Sequence, residues 1–201
     1  MEEIKTVKIG EKIPDFTLDA YYPDKKDLGK ISFYDITKSG KWLVLFFYPA
    51  DYTFVCPTEL ADLAEKYDEL KKEGVEVVAI SVDTQYVHYA WFNTEKMLAK
   101  VKYPVASDST HIVSKTFGVY DESSGLSLRG SFIIDPDNKL VASEINYFPV
   151  GRNSDELLRK IKAFKYVREN PTQVCPAKWQ PGKKTLTPGK DIIGKIDESL
   201  K

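Results

Sequence analysis

Trp42-Leu43-Val44-Leu45-Phe46-Phe47 is an unbroken run of large apolar residues. A strand with one wet face must alternate, so a continuous run of strand length reads as a strand buried on both faces. A strand of that kind sits inside a sheet covered on both sides, as helices cover the sheet of an α/β domain. The flanking sequence agrees. Pro49-Ala50-Asp51 ends the run, and from Thr58 the spacing becomes helical, with Leu60, Leu63, Ala64, Tyr67 and Leu70 apolar and Lys71-Lys72 closing before Gly74. Residues 75–80 repeat the buried-strand pattern. Residues 87–99 read as a helix, 104–106 as a short strand and 112–117 as a short helix. Residues 128–134 and 140–147 form a hairpin around Asp135-Pro136-Asp137-Asn138, and Ser154 opens a helix that runs to about Glu169.

Ahead of the central strand, short alternations such as residues 15–19 are broken by turns at residues 21–26 and at Ser39-Gly40, which predicts an N-terminal hairpin. The order of elements gives an α/β class with a mixed sheet flanked by helices. After Asn170-Pro171 the composition shifts to prolines at 171, 176, 181 and 188 and glycines at 182, 189 and 194. Residues 1–169 are therefore expected to form one domain, and residues 170–201 a C-terminal arm.

A chain of 201 residues buries enough apolar surface to need no disulfide or metal staple, and two cysteines are too few for a disulfide scaffold. The net charge of −1, from 29 basic and 30 acidic residues, gives no electrostatic footprint for nucleic acid. Residues 1–10 lack the apolar core of a signal peptide, and the longest apolar run falls far short of the ~20 residues a membrane helix needs. The expectation is a cytoplasmic protein without a membrane partner. In that compartment two cysteines are reactive or structural thiols more often than a permanent bridge.

Several chemistries are absent. No dinucleotide fingerprint, phosphate loop or H-E-x-x-H helix occurs. Asp135-x-Asp137 opens like a calcium loop, but Lys139 and Leu140 fall where further ligand and glycine positions belong, so it reads as a turn. His88 and His111, with Cys56 and Cys175, have no zinc-site spacing. Glu59 stands three residues after Cys56, so there is no Cys-x-x-Cys dithiol. What is left is single-thiol chemistry, with neither metal nor cofactor.

Cys56 follows a buried strand and a turn, and it precedes a helix whose first turn contains Pro57. Unpaired N–H groups and the helix dipole favour an anion there, and the thiolate is the nucleophilic form of cysteine. The competing reading is a small buried hydrophobe. The neighbours weigh on this choice: Pro49-Ala50-Asp51-Tyr52-Thr53-Phe54-Val55-Cys56 has the form P-x-x-x-T-x-x-C, which resembles the active-site signature of the peroxiredoxins. The resemblance extends from Ile13-Pro14-Asp15-Phe16 through Cys56-Pro57-Thr58-Glu59 and Val150-Gly151-Arg152 to Val174-Cys175-Pro176-Ala177-Lys178-Trp179. Near its end, with Leu186-Thr187-Pro188 and residues 191–196, the chain is most similar to the bacterial alkyl hydroperoxide reductase C branch.

That resemblance implies a thioredoxin-like sheet with an N-terminal hairpin and a C-terminal arm. It implies that the Cys56 thiolate attacks a peroxide, leaving a sulfenic acid that Cys175 converts to a disulfide. It implies that Thr53 offers its hydroxyl to thiolate and peroxide, and that Pro49 shields the pocket from water. Arg129, one of only four arginines, would hold the sulfur and the peroxide oxygens with its rigid fork; the plain alternative is a surface ion pair. Glu59 and Arg152 would steady that arginine and the helix, or else form a simple salt bridge. The spacing of the two cysteines does not decide whether they pair within one chain. The resemblance implies pairing between subunits of a homodimer, assembly into a ring of five dimers, and reduction of the disulfide by thioredoxin or a flavoprotein disulfide reductase. Two rival classes are a chaperone-like ring and a protein thiol–disulfide oxidoreductase, the latter disfavoured by the missing Cys-x-x-Cys. Only the peroxidase requires rapid, stoichiometric loss of thiols on adding peroxide.

Overall fold

The computed structural model describes residues 4–200. Residues 1–3 and 201 lie outside it, and with them part of the N-terminal segment read for a signal peptide and the last residue of the expected arm. The chain divides after Ser154 into two compact units.

The first unit opens with the expected hairpin, β1 (Thr17–Tyr22) and β2 (Asp27–Ser32), paired antiparallel from Thr17↔Ser32 to Tyr22↔Asp27. A short helix unforeseen in the sequence, α1 (Phe33–Lys38), follows at once. Ser32 caps it by accepting a 3.1 Å hydrogen bond from the amide of Asp35. The apolar run becomes β3 (Trp42–Phe47), buried at every position. After it come α2 (Cys56–Lys72), β4 (Val75–Ser81), α3 (Gln85–Thr94), β5 (Val105–Ser107) and α4 (Ile112–Thr116). A small two-stranded ribbon, β6 (Tyr120–Asp121) with β7 (Leu126–Ser127), precedes the second hairpin, β8 (Arg129–Ile134) and β9 (Leu140–Asn146). Gly74, at φ +73°, turns the chain from α2 into β4, and its carbonyl receives the Trp42 amide at 3.0 Å.

Seven strands form one mixed sheet in the order β2-β1-β5-β4-β3-β8-β9. β3, β4 and β5 are parallel, whereas β1 joins β5 and β8 joins β3 antiparallel. α2 packs against β4, and α3 against β1 and β5. Leu43, Leu45 and Phe47 of β3 lie at the centre of the core with Val78, Ile80, Phe117 and Phe132. This is the mixed α/β sheet that the element order predicted, in the thioredoxin-like arrangement that the resemblance implied.

Most boundaries fall within one or two residues of the sequence reading, and two of the differences have a clear local reason. The helix expected over residues 87–99 stops at Thr94. There Asn93 and Thr94 turn their side chains back onto the carbonyls of Tyr89, Ala90 and Trp91, and the Glu95 carboxylate caps Met97 of a separate 3₁₀ turn, Lys96–Leu98. The helix expected from Thr58 begins at Cys56. Val55 is already helical in its backbone, and its carbonyl accepts both the amide and the hydroxyl of Thr58, at 3.1 and 2.6 Å.

The second unit begins within α5 (Ser154–Glu169). Val174 and Leu186 exchange backbone hydrogen bonds at 2.9 and 3.1 Å. Trp179 packs against Tyr166 with the rings tilted and their centres 5.0 Å apart, and its carbonyl accepts from Arg159 at 3.0 Å. A 3₁₀ turn (Lys190–Ile192) and α6 (Ile196–Ser199) end the described chain, and neither contains a buried residue. Among the described residues, no helix is long and apolar enough to cross a membrane, and no group of three or more His, Cys, Asp or Glu could hold a metal ion.

Candidate active site

The register of three strands places the site. β8 runs antiparallel to β3 with Ser131 opposite Phe46. Arg129, two residues earlier on β8, therefore stands level with the end of β3, where residues 48–55 lead into α2. The 147–152 segment leaves β9 at the same end of the sheet, since Asn146 pairs with Arg129.

Cys56 is the first residue of α2 and is wholly buried as a free thiol. Arg129 Nη1 reaches its Sγ at 3.4 Å and Glu59 Oε2 at 2.6 Å, while Arg129 Nε donates to the Phe148 carbonyl at 2.7 Å. The other oxygen of Glu59 accepts from Arg152 twice, from Nε at 2.8 Å and from the backbone amide at 2.9 Å. Arg152 is fixed further by the Ser131 hydroxyl at 3.1 Å and by the face of Phe46, 3.4 Å from its guanidinium carbon. All three charged side chains are at most 5% exposed. Burial pulls the Arg152 pKa down, and Glu59 opposes that pull.

Two buried guanidinium groups face one carboxylate. Glu144 adds a second negative charge on the Arg152 side, and on the other side the Cys56 sulfur lies within reach of Arg129. Breaking one partner out of such a buried set costs about 3–5 kcal/mol.

Pro49 and Thr53 line the same pocket of about 340 Å³, together with Cys56, Arg129, Leu126 and the 147–149 segment. Pro49 is buried. Thr53 lines the pocket with its hydroxyl donating to the Ala50 carbonyl at 2.8 Å, so that its oxygen keeps acceptor capacity. Six of the seven residues singled out in the sequence thus share one site in the first unit. The seventh, Cys175, belongs to the second unit. It is half-buried and free, with Sγ 3.9 Å from the Ala163 carbonyl. Burial pushes its thiol pKa up, and Arg159 draws it partly back.

A buried network that the sequence reading passed over holds the loop. Asp51 takes the Tyr48 hydroxyl on one oxygen and His88 Nδ1 on the other, both at 2.7 Å, and its own amide donates to Asp83 at 2.8 Å. Burial raises the Asp51 pKa against the pull of His88, and the Tyr48 pKa is pushed well above its ordinary value. The available signal was Asp51, an acid that the sequence reading used only as part of the segment ending the apolar run.

Residues 9–143 match the AhpC/TSA family, and residues 163–193 match the C-terminal domain of 1-Cys peroxiredoxin. The chain belongs to the AhpC/TSA family. Among curated relatives of this AhpC/TSA chain, alkyl hydroperoxide reductase C of Staphylococcus aureus strain Mu50 is 47% identical over 188 residues, covering 94% of this chain and 98% of the relative. The crystal structure of Enterococcus faecalis AhpC superposes with a TM-score of 0.79 at 43% identity, covering 84% of this chain and 98% of that one. A reduced Plasmodium vivax 2-Cys peroxiredoxin superposes at 0.86 with 33% identity, over 92% and 95% of the two chains. These likenesses make the AhpC/TSA chain a peroxiredoxin, an oxidoreductase acting on peroxides through a thiol.

Proposed function

We propose that Cys56 is the peroxide-reactive thiol and Cys175 the thiol that resolves it, so that the enzyme reduces hydrogen peroxide and organic hydroperoxides in repeated cycles. The observation that carries the reading is the convergence of Arg129, Glu59 and Arg152 on a buried cysteine at a helix start. In this mechanism the Cys56 sulfur attacks the near peroxide oxygen and the O–O bond breaks. The leaving oxygen departs as water or alcohol, and Cys56 is left as a sulfenic acid. Arg129 stabilises the charge that develops on the departing oxygen, in a site already organised before the reaction. Thr53, accepting through its oxygen, orients the peroxide proton, and Pro49 keeps water from the sulfur. Glu59 and Arg152 hold Arg129 in place and do not touch the reacting atoms.

Cys175 of a second subunit then displaces the sulfenic hydroxyl as water, forming a disulfide between chains. A thioredoxin or a flavoprotein disulfide reductase returns both thiols by exchange in the cytoplasm. Homodimers assemble into a ring of five. The test is stopped-flow consumption of peroxide under limiting dithiol, with thiols titrated in parallel; rapid loss of two thiols per peroxide is expected, and no fast loss would remove the reading. On non-reducing gels, one equivalent of peroxide is expected to give a disulfide-linked dimer that vanishes in Cys56→Ser and in Cys175→Ser. A monomeric band with both thiols consumed would place the bridge within one chain.

Resistance to excess peroxide follows from the tail. Between Gln180 and Lys201 there is no aromatic side chain to anchor the arm. The segment from residue 190 to 199 buries nothing within its 3₁₀ turn or α6. A weakly anchored end opens at low free energy, which speeds resolution and shortens the life of the sulfenic acid. Mass spectrometry after turnover in millimolar-range hydrogen peroxide is expected to find Cys56 in the disulfide. Accumulated sulfinic acid after a few turnovers would contradict this.

A further inference from the structure

Phe54 is 92% exposed although it stands two residues before a wholly buried cysteine. An aromatic ring held in water forgoes the burial that stabilises most of its kind. The chain on either side is tied down: the Thr53 hydroxyl holds the Ala50 carbonyl, and the Val55 carbonyl accepts the Thr58 and Glu59 amides at 3.1 and 3.2 Å. A disulfide needs Cα atoms about 4.4–6.8 Å apart. Cys56 has no exposed surface and is reached only through the pocket it shares with Pro49, Thr53 and Arg129, so a second chain's backbone comes that close only once the first turn of α2 releases. Residues 54–56 then pass into an extended form. Side chains alternate along an extended chain, so Phe54 and Cys56 project from the same face, roughly 6–7 Å apart.

Cys175 stands in a groove of about 450 Å³ within the second unit, walled by Phe164 and Val167 of α5 and by Val174. Val174 is 43% exposed. Once the two sulfurs bond, the ring two residues from Cys56 has this apolar groove within its reach.

We infer that Phe54 is a positioning residue of the resolving step: it seats in the groove beside Cys175 of a second copy of the chain and so presents the Cys56 sulfenic acid to that thiol. The inference rests on the assignment of the two cysteines made above. In the step itself an S–S bond forms and the Cys56 S–O bond breaks. The hydroxyl leaves as water with the proton of the Cys175 thiol. Phe54 takes no part in the bond changes and sets only the approach.

The experiment follows sulfenic acid formation and disulfide formation separately by rapid quench and mass spectrometry. It compares the full-length protein with Phe54→Ala, Phe54→Leu, Val174→Ser and the Phe54→Ala/Val174→Ser double variant. Disulfide formation, taken relative to sulfenic acid formation, is expected to slow about tenfold in each alanine or serine single variant, as losing the burial of an apolar side chain implies. Phe54→Leu is expected to restore most of the rate. The double variant is expected to slow about tenfold and not a hundredfold, because the two residues share one contact. Sulfenic acid formation at the normal rate in Val174→Ser shows that this variant is folded. Single variants with the unmodified disulfide rate, or a double variant with fully additive losses, would overturn the inference. If the unmodified protein forms a sulfenic acid but no Cys56–Cys175 disulfide, the cysteine assignment fails first and takes the inference with it.

Discussion

Cys56→Ser is expected to lose peroxide turnover entirely while keeping its fold. Serine is close to cysteine in shape, so the buried first turn of α2 should still form. Its hydroxyl, however, has no accessible anion at neutral pH and no base beside it, since the nearest polar partner is the guanidinium of Arg129. Cys175→Ser is expected to behave differently. It should reduce one equivalent of peroxide and then stall as a sulfenic acid that a small thiol can clear. The measurement is peroxide consumed per subunit, first without and then with added small thiol. If Cys56→Ser keeps most of its activity, the nucleophile is not Cys56. If Cys175→Ser turns over normally with the protein reductant alone, Cys175 is not the resolving thiol.

Removing Arg129 should be nearly as damaging to the chemical step. Arg129→Ala is expected to slow sulfenic acid formation by ~10²-fold or more, the usual scale for losing one preorganised donor to developing oxyanion charge. Arg129→Lys should recover little. The guanidinium bonds three different groups at once, the Phe148 carbonyl, Glu59 and the Cys56 sulfur. A single ammonium lacks the fixed fork to reproduce that geometry. The alanine variant also leaves Glu59 with Arg152 alone, so the measurement pairs single-turnover kinetics with thermal unfolding. A folded alanine variant with near-normal peroxide kinetics would make Arg129 a mere ion-pair residue.

How far the sequence foretold this site depends on which kind of signal each residue carries. The central strand was legible because an apolar run of strand length has few other uses, and its burial at every position follows from that. The second hairpin was legible from its turn residues, and the Asp135 carboxylate does accept the amides of Asp137 and Lys139. The end of α3 was not legible, because apolar spacing cannot show that Asn93 and Thr94 will compete for backbone carbonyls. In the site, side-chain identities were readable from the motif but their partners were not. Nothing in the order of residues says that Arg129 also bonds the Phe148 carbonyl, or that Phe46 supplies a face to Arg152. Those contacts arise from strand register across residues far apart in the chain. The Thr53 hydroxyl is the clearest case. Its presence was evident, but the direction of its proton depends on the turn that brings the Ala50 carbonyl within 2.8 Å.

The Arg129–Glu59–Arg152 cluster ties the start of α2 to the charge beside it, because Glu59 belongs to the first turn of that helix and holds one arginine on each oxygen. Under the mechanism proposed above, turning a Cys56 thiolate into a neutral sulfenic acid, with one proton taken up from solvent to balance the departing water or alcohol, would remove a negative charge from beside Arg129 and loosen that turn. A sulfinate would put a negative charge back at the same position, so the overoxidised protein is expected to open there less readily than the sulfenic form. Hydrogen exchange at the Thr58 and Glu59 amides in the two oxidation states reads that difference directly.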